Sequence, residues 1–159
     1  MDDHLRRPQI VKMQARHIEE IAEIEKLSFS KPWSFEALAE ELSNPLAVFL
    51  VAVIDGKTVG YAGMHHIIDE GYITNIAVHP DYRRRGIATA LINELDNYAR
   101  KKGLALLTLE VRCSNVVAID IYRRAGFDEA GIRKGFYDEP KEDATTFEQR
   151  TSSVSRARP

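Results

Sequence analysis

Apolar residues recur along this chain at two spacings, and the alternation between them lays out the elements. Gln9 to Met13 predicts a short first strand. Ile18, Ile21, Ile24 and Leu27 then follow at a spacing that lines one face of a helix. Ser34 is placed to cap a second helix, in which Phe35, Leu38, Ala39 and Leu42 recur along one side until Asn44-Pro45 stops it. Val48 to Ile54 and Thr58 to Ile67 read as strands joined by the hairpin dipeptide Asp55-Gly56, and Tyr72 to Val78 follows the turn around Asp69-Glu70-Gly71. These three form an antiparallel meander. Ile87, Ala88, Leu91, Leu95, Tyr98 and Ala99 trace the longest helical stripe, with Gly103 as its terminator.

Leu104 to Val111 is apolar on both faces, as a central strand covered on both sides should be. A short helix with Ala118, Ile121, Tyr122 and Ala125 inward comes next, and Gly126-Phe127 has the form of a C-terminal cap with its hydrophobic contact. Phe127 to Ile132 and Ala144 to Gln149 complete a terminal hairpin, the second arm being weakly apolar. The expected fold is α/β, a central, mostly antiparallel sheet of about seven strands with helices on both faces. Residues 9–150 are expected to form a single domain, with mobile termini at residues 1–8 and 151–159.

Composition narrows the functional classes. At 159 residues the chain fits one domain, and 44% hydrophobic with 29% charged residues are globular values. A net charge of -2 from 22 basic and 24 acidic residues argues against general nucleic-acid binding. No apolar run approaches the roughly 20 residues of a membrane span, and Met1 to Pro8 lacks a signal-peptide core, so the expected compartment is the cytoplasm, without membrane attachment. Cys113 is the only cysteine, which excludes an internal disulfide.

Chemistry concentrates first at Arg83-Arg84-Arg85-Gly86-Ile87-Ala88, where a strand gives way to a helix. Free backbone N–H groups at the positive end of a helix suit a pyrophosphate, Gly86 removes a Cβ from the approach, and arginines add charge-assisted bonds. A solvated arginine run with a turn-easing glycine is the competing reading of those residues alone. The flanks decide: Ile76 to Leu91, with Val78-His79-Pro80-Asp81-Tyr82 leading into the arginines, resembles the coenzyme A signature of the GNAT superfamily of N-acetyltransferases. That resemblance implies acetyl-CoA as co-substrate. It assigns Ile76, Ala77 and Val78 to the pantetheine arm and acetyl group, and Arg84, Arg85, Gly86, Ile87, Ala88 and Thr89 to the pyrophosphate.

Acetyl transfer to an amine needs a proton acceptor for the amine and a donor for the leaving thiolate. Glu110 ends one face of a buried strand, where apolar surroundings should raise its pKa. Tyr122 lies on the inner stripe of the next helix, and Asn115 stands at that helix's start. Each has a second reading: Glu110 pairs with an arginine, Asn115 is an N-cap, Tyr122 packs in the core. Leu109-Glu110-Val111-Arg112, Ser114-Asn115, Ala118, Tyr122 and Gly126-Phe127 are similar to a segment of the RimI family, which acetylates the N-terminal alanine of a small-subunit ribosomal protein. By that resemblance Glu110 is the general base, Tyr122 the general acid and Asn115 a coenzyme contact. The partner it implies is the N-terminal peptide of such a ribosomal protein.

Glu25 to Phe29, Pro32-Trp33-Ser34 and Arg133 to Tyr137 extend the likeness. In related enzymes the helix-helix loop and the last hairpin flank the peptide, which nominates Trp33, Phe35 and Tyr137 for substrate binding, against ordinary aromatic packing. Phe136 stands where such enzymes often carry a tyrosine, and Thr145 to Arg150 replaces an apolar final strand. His65 and His66 point to opposite strand faces without partners at ligand spacing, so no metal is expected. The competing functions are acetylation of a small amine or a lysine side chain, and a non-catalytic acetyl-CoA-binding module.

Overall fold

Among the described residues, 7–151 of the computed structural model, the chain forms seven strands and four α-helices. In order they are β1 (Gln9–Lys12), α1 (Ile18–Ser28), α2 (Phe35–Glu41), β2 (Ala47–Ile54), β3 (Lys57–Ile67), β4 (Glu70–Val78), α3 (Ile87–Lys102), β5 (Leu106–Arg112), α4 (Val116–Arg124), β6 (Asp128–Asp138) and β7 (Lys141–Arg150). The strands form one sheet in the order β1-β2-β3-β4-β5-β7-β6. Pairing is antiparallel for β1 with β2, β2 with β3, β5 with β7 and β6 with β7. β4 and β5 pair in parallel, from Glu70↔Leu106 to Tyr72↔Thr108. This is the mixed, mostly antiparallel sheet expected from the sequence.

The chain divides into two compact units, one running from residue 7 to His66 with Thr74–Leu95, the other comprising Ile67–Ile73 and the chain from Asp96 onward. In the first, Ile18, Ile21 and Ile24 of α1 and Leu38 of α2 pack with Phe49, Val51, Tyr61 and Ala77. Leu27, expected on the same stripe, is 51% exposed. A helix turns about 100° per residue, so a strict three-residue repeat slips backward and reaches the opposite side after nine residues. The position that returns to the buried face is Glu25, only 1% exposed. Phe35 and Leu42 are likewise exposed, leaving Leu38 as the buried residue of α2. Ser34 does cap α2, its Oγ accepting the Ala37 N–H at 3.1 Å.

Glu25 is satisfied by two donors, the Trp33 N–H at 2.8 Å and the Tyr61 hydroxyl at 2.5 Å. Burial, reinforced by the adjacent Glu25, raises the Tyr61 phenol far above its ordinary value of 10.0. Because the folded pKa is the higher one, stability is intact below the unfolded value and is lost as pH climbs from about 10 toward the folded value. Tyr61→Phe should therefore weaken the alkaline loss of stability, read from urea unfolding midpoints at pH 9 to 11, roughly spanning the ordinary phenol value. An unchanged pH slope would contradict it.

Both expected glycine caps are present as Schellman motifs. Gly103, at φ 73, donates to Arg100 C=O, and Leu104 to Ala99 C=O. Gly126, at φ 99, donates to Arg123 C=O, and Phe127 to Tyr122 C=O, with the two rings edge to face at 5.8 Å.

The terminal hairpin departs most from expectation, being far longer than the pattern indicated. β7 buries Ala144, Thr145 and Phe147, so the weakly apolar arm is an ordered strand. β5 alternates instead of being buried on both faces, with Leu107, Leu109 and Val111 inward. Thr151, assigned to a mobile tail, is fully buried, its N–H donating to Ala105 C=O and its hydroxyl to Leu104 C=O. The remainder of the termini, residues 1–6 and 152–159, lies outside the described residues.

Candidate active site

In the first unit, the connection from β4 to α3 has the chemistry of an anion cradle. Arg83 does not join it: Nε donates to Val78 C=O at 3.1 Å and Nη2 to Ser28 Oγ at 3.3 Å, tying the end of β4 to the end of α1. Beyond it the backbone turns left-handed at Arg84 (φ 65) and Gly86 (φ 76). The first bond of the α3 ladder is Ala90 N–H to Gly86 C=O at 3.0 Å, so the N–H groups of Ile87, Ala88 and Thr89 precede it. The side chain of Ile87 is buried, which leaves its backbone as the part able to reach a ligand.

Two features leave this loop open to an anionic ligand. A Cβ placed on Gly86 would meet nothing within 4 Å, so the space above the glycine is open to a ligand. Arg85 stacks over the Tyr82 ring at 4.9 Å and holds a buried Nη1 without a hydrogen-bond partner among the described residues. An unpartnered guanidinium donor, one residue before Gly86, is the kind of group an anionic ligand would satisfy. On β4, Ala77 is buried while Ile76 and Val78 are half-buried.

In the second unit one carboxylate on β5 gathers donors from neighbouring strands. The Glu110 side chain is only 5% exposed. It accepts from the Tyr72 hydroxyl on Oε1 and from the Thr146 hydroxyl on Oε2 at 3.3 Å, with Arg133 Nη1 3.8 Å away. Thr146 is its register partner on β7. The apolar surroundings expected for Glu110 are thus replaced by donors, and the anticipated arginine pairing is present at long range alongside them. Burial and the Glu110 contact push the Tyr72 phenol well above its ordinary value.

Tyr122 is 5% exposed, packed on Phe127 and Phe147, and burial raises its phenol strongly, with nearby Tyr137 adding to the effect. Its core packing and a proton-donor role are compatible, because the shift keeps the hydroxyl protonated. Asn115 is an N-cap: Oδ1 accepts from Ala118 N–H at 3.1 Å, which leaves its amide N–H groups for a ligand. Tyr137 is half-buried, raised by burial and opposed by Arg112, and it feels the charge of Glu110.

The aromatics nominated for substrate binding divide. Trp33 packs near Phe49, 6.3 Å between centroids, while Phe35 is 48% exposed on the first turn of α2. His65 is engaged with Glu41 at 2.5 Å and Cys113 Sγ lies 3.3 Å from Thr145 Oγ1. Among the described residues no group of three or more His, Cys, Asp or Glu is placed to hold a metal, and no helix is long and apolar enough to cross a membrane. Tyr72, Thr146 and Arg133 were not assigned roles from the sequence. Their common signal is non-local, since each reaches Glu110 from another strand.

The first unit carries a loop with groups able to meet a phosphorylated ligand, and the second a buried carboxylate that accepts from the Tyr72 and Thr146 hydroxyls. The family model described as the acetyltransferase (GNAT) family matches residues 18–127, and the chain belongs to that family, whose acetyl donor is acetyl-CoA. A Bacillus subtilis (strain 168) protein is 38% identical over 133 residues, spanning 83% of this chain and 88% of that one. The [ribosomal protein bS18]-alanine N-acetyltransferase of Escherichia coli (strain K12) is 39% identical over 114 residues, 72% of this chain and 76% of that one. The crystal structure of the ribosomal-protein-S18-alanine N-acetyltransferase from Escherichia coli superposes with a TM-score of 0.83 at 33% identity, covering 91% of this chain and 94% of that one.

Proposed function

We propose that this enzyme acetylates the N-terminal α-amine, carried by alanine, of a small-subunit ribosomal protein in the cytoplasm, and that residues 9–150 act as one acetyltransferase domain. The carrying observation is the buried Glu110 carboxylate among hydroxyl donors. The identity to proteins named for that substrate supports the acceptor.

The coenzyme brings the acetyl group as a thioester and departs as a thiol. The backbone of Ile76, Ala77 and Val78 would pair with its arm, Asn115 would donate to it, and Arg84 to Thr89 would hold its phosphates. Glu110 accepts the proton released by the attacking amine. Tyr122, kept neutral by burial, donates toward the leaving sulfur. Trp33, Phe35 and Tyr137 border the acceptor peptide.

Magnitudes favour an α-amine over a lysine. The reference pKa values are about 7.7 to 8.0 and about 10.4, so presenting lysine as the free amine at neutral pH costs roughly 3 to 4 kcal/mol more. The test is thiol release with an alanine-initiated peptide against the same peptide α-blocked but carrying a free lysine. Turnover of the first alone is expected. Turnover of the second at a comparable rate would sink the reading, and thiol release with neither would leave a binding module.

Tyr122→Phe should lower kcat about 10- to 100-fold with little change in either KM, because the lost hydroxyl acts on departing charge. Steady-state rates in the parent and variant check this. A raised donor pKa also has a stated consequence: the neutral phenol persists as pH passes its ordinary value of 10.0, so kcat should show no alkaline fall from Tyr122 near that pH.

A further inference from the structure

Arg112 closes β5 two residues beyond Glu110, and nothing in the acetyl-transfer chemistry above uses it. Both terminal nitrogens of its guanidinium are engaged. Nη1 donates to Pro140 C=O at 2.8 Å and reaches Glu142 Oε1 at 3.3 Å, while Nη2 donates to Glu139 C=O at 3.2 Å. The same group lies over the Tyr137 ring, 4.2 Å from its centroid. Glu142, the register partner of Tyr137, accepts the Ser114 N–H at 2.7 Å, and hydrogen bonding from the Ser114 side chain, then from its backbone and from Arg112, keeps the carboxyl below the usual range.

A second observation points to the same ring. Between Arg133 and Tyr137 the β6 register shifts against β7: four steps on β6 oppose the two from Ala144 to Glu142. Gly135 takes φ 62 within this bulge, and its N–H is bound by Asp143 Oδ1 at 2.8 Å. Bulges of this kind re-aim side chains beside active sites. The bulge sets where Tyr137 leaves the strand, and Arg112 holds the ring and the turn that follows.

We propose that Arg112 is a positioning residue for acceptor binding, fixing the Tyr137 ring and the β6–β7 turn by one planar guanidinium. The inference rests on the reading that Tyr137 borders the acceptor peptide. Lysine would keep the charge but not the fork that spans two carbonyls while stacking on a ring. The role therefore belongs to the guanidinium, not to positive charge alone.

The experiment is steady-state kinetics with acetyl-CoA and an alanine-initiated peptide for Arg112→Lys, Arg112→Met, Tyr137→Ala and the double variant Arg112→Met/Tyr137→Ala. Peptide KM is expected to rise about tenfold in each single variant while coenzyme KM changes less than about twofold, and the double variant should match Tyr137→Ala. Non-additivity is the signature a merely structural arginine lacks. Parent-like peptide KM in Arg112→Lys overturns the proposal, as do additive effects or a joint rise of both KM values with a fall in melting temperature. Unchanged peptide KM in Tyr137→Ala overturns the acceptor reading of Tyr137 and the inference with it. A raised KM in Tyr137→Ala but not in the arginine variants overturns the inference alone.

Discussion

Glu110→Gln is expected to lower kcat with an alanine-initiated peptide by about 10²- to 10⁴-fold, the range of a lost general base. The substitution keeps shape and removes the proton acceptor. It also changes what the neighbours meet, since Tyr72, Thr146 and Arg133 all present donors to the carboxylate. A glutamine amide can accept through one atom only, so one donor faces another. Some local destabilisation is expected, and a thermal melt separates it from the catalytic loss. Coenzyme binding should be unchanged, because the residues proposed to hold its phosphates are others.

Tyr72→Phe refines the test. Its hydroxyl orients Glu110, so its removal should cost less than removal of the carboxylate, about tenfold in kcat. If Glu110→Gln kept kcat within about threefold of the parent in a folded protein, Glu110 would not be the base.

The local features of this fold were open to reading from the chain, and the tertiary ones were not. Ser34, Gly103 and Gly126 announced their helix ends because capping is decided within five or six residues. The Glu110 position followed from strand alternation alone. Its partners did not: the parallel pairing that sets Tyr72 opposite Thr108 joins segments more than thirty residues apart, and no local pattern encodes that choice.

Glu25 escaped for another reason. Apolar residues at three-residue spacing drew the stripe toward Leu27, although helix geometry returns the buried face to position 25. A carboxylate there becomes acceptable only once Tyr61 and Trp33 supply donors. The long terminal hairpin was hidden because β6 is exposed almost throughout, so it carries no inward-outward alternation to detect.

Gly86→Val should weaken coenzyme A binding about 100-fold, measured as Kd by calorimetric titration. Two effects are expected, and a second glycine separates them. The left-handed φ of 76 imposes a strain of about 1 to 2 kcal/mol on any β-branched residue, lowering stability. Gly56 has nearly the same φ, 77, and the same open space around its missing Cβ, yet it sits in the β2–β3 turn. Gly56→Val should therefore lose comparable stability and keep the parent Kd to within about twofold. The affinity lost by Gly86→Val beyond that control measures the phosphate's approach to the backbone. A 100-fold change is about 2.7 kcal/mol, the scale of one or two hydrogen bonds to a charged group. Equal Kd values in both variants and the parent would mean that the open space above Gly86 is not where the phosphates lie.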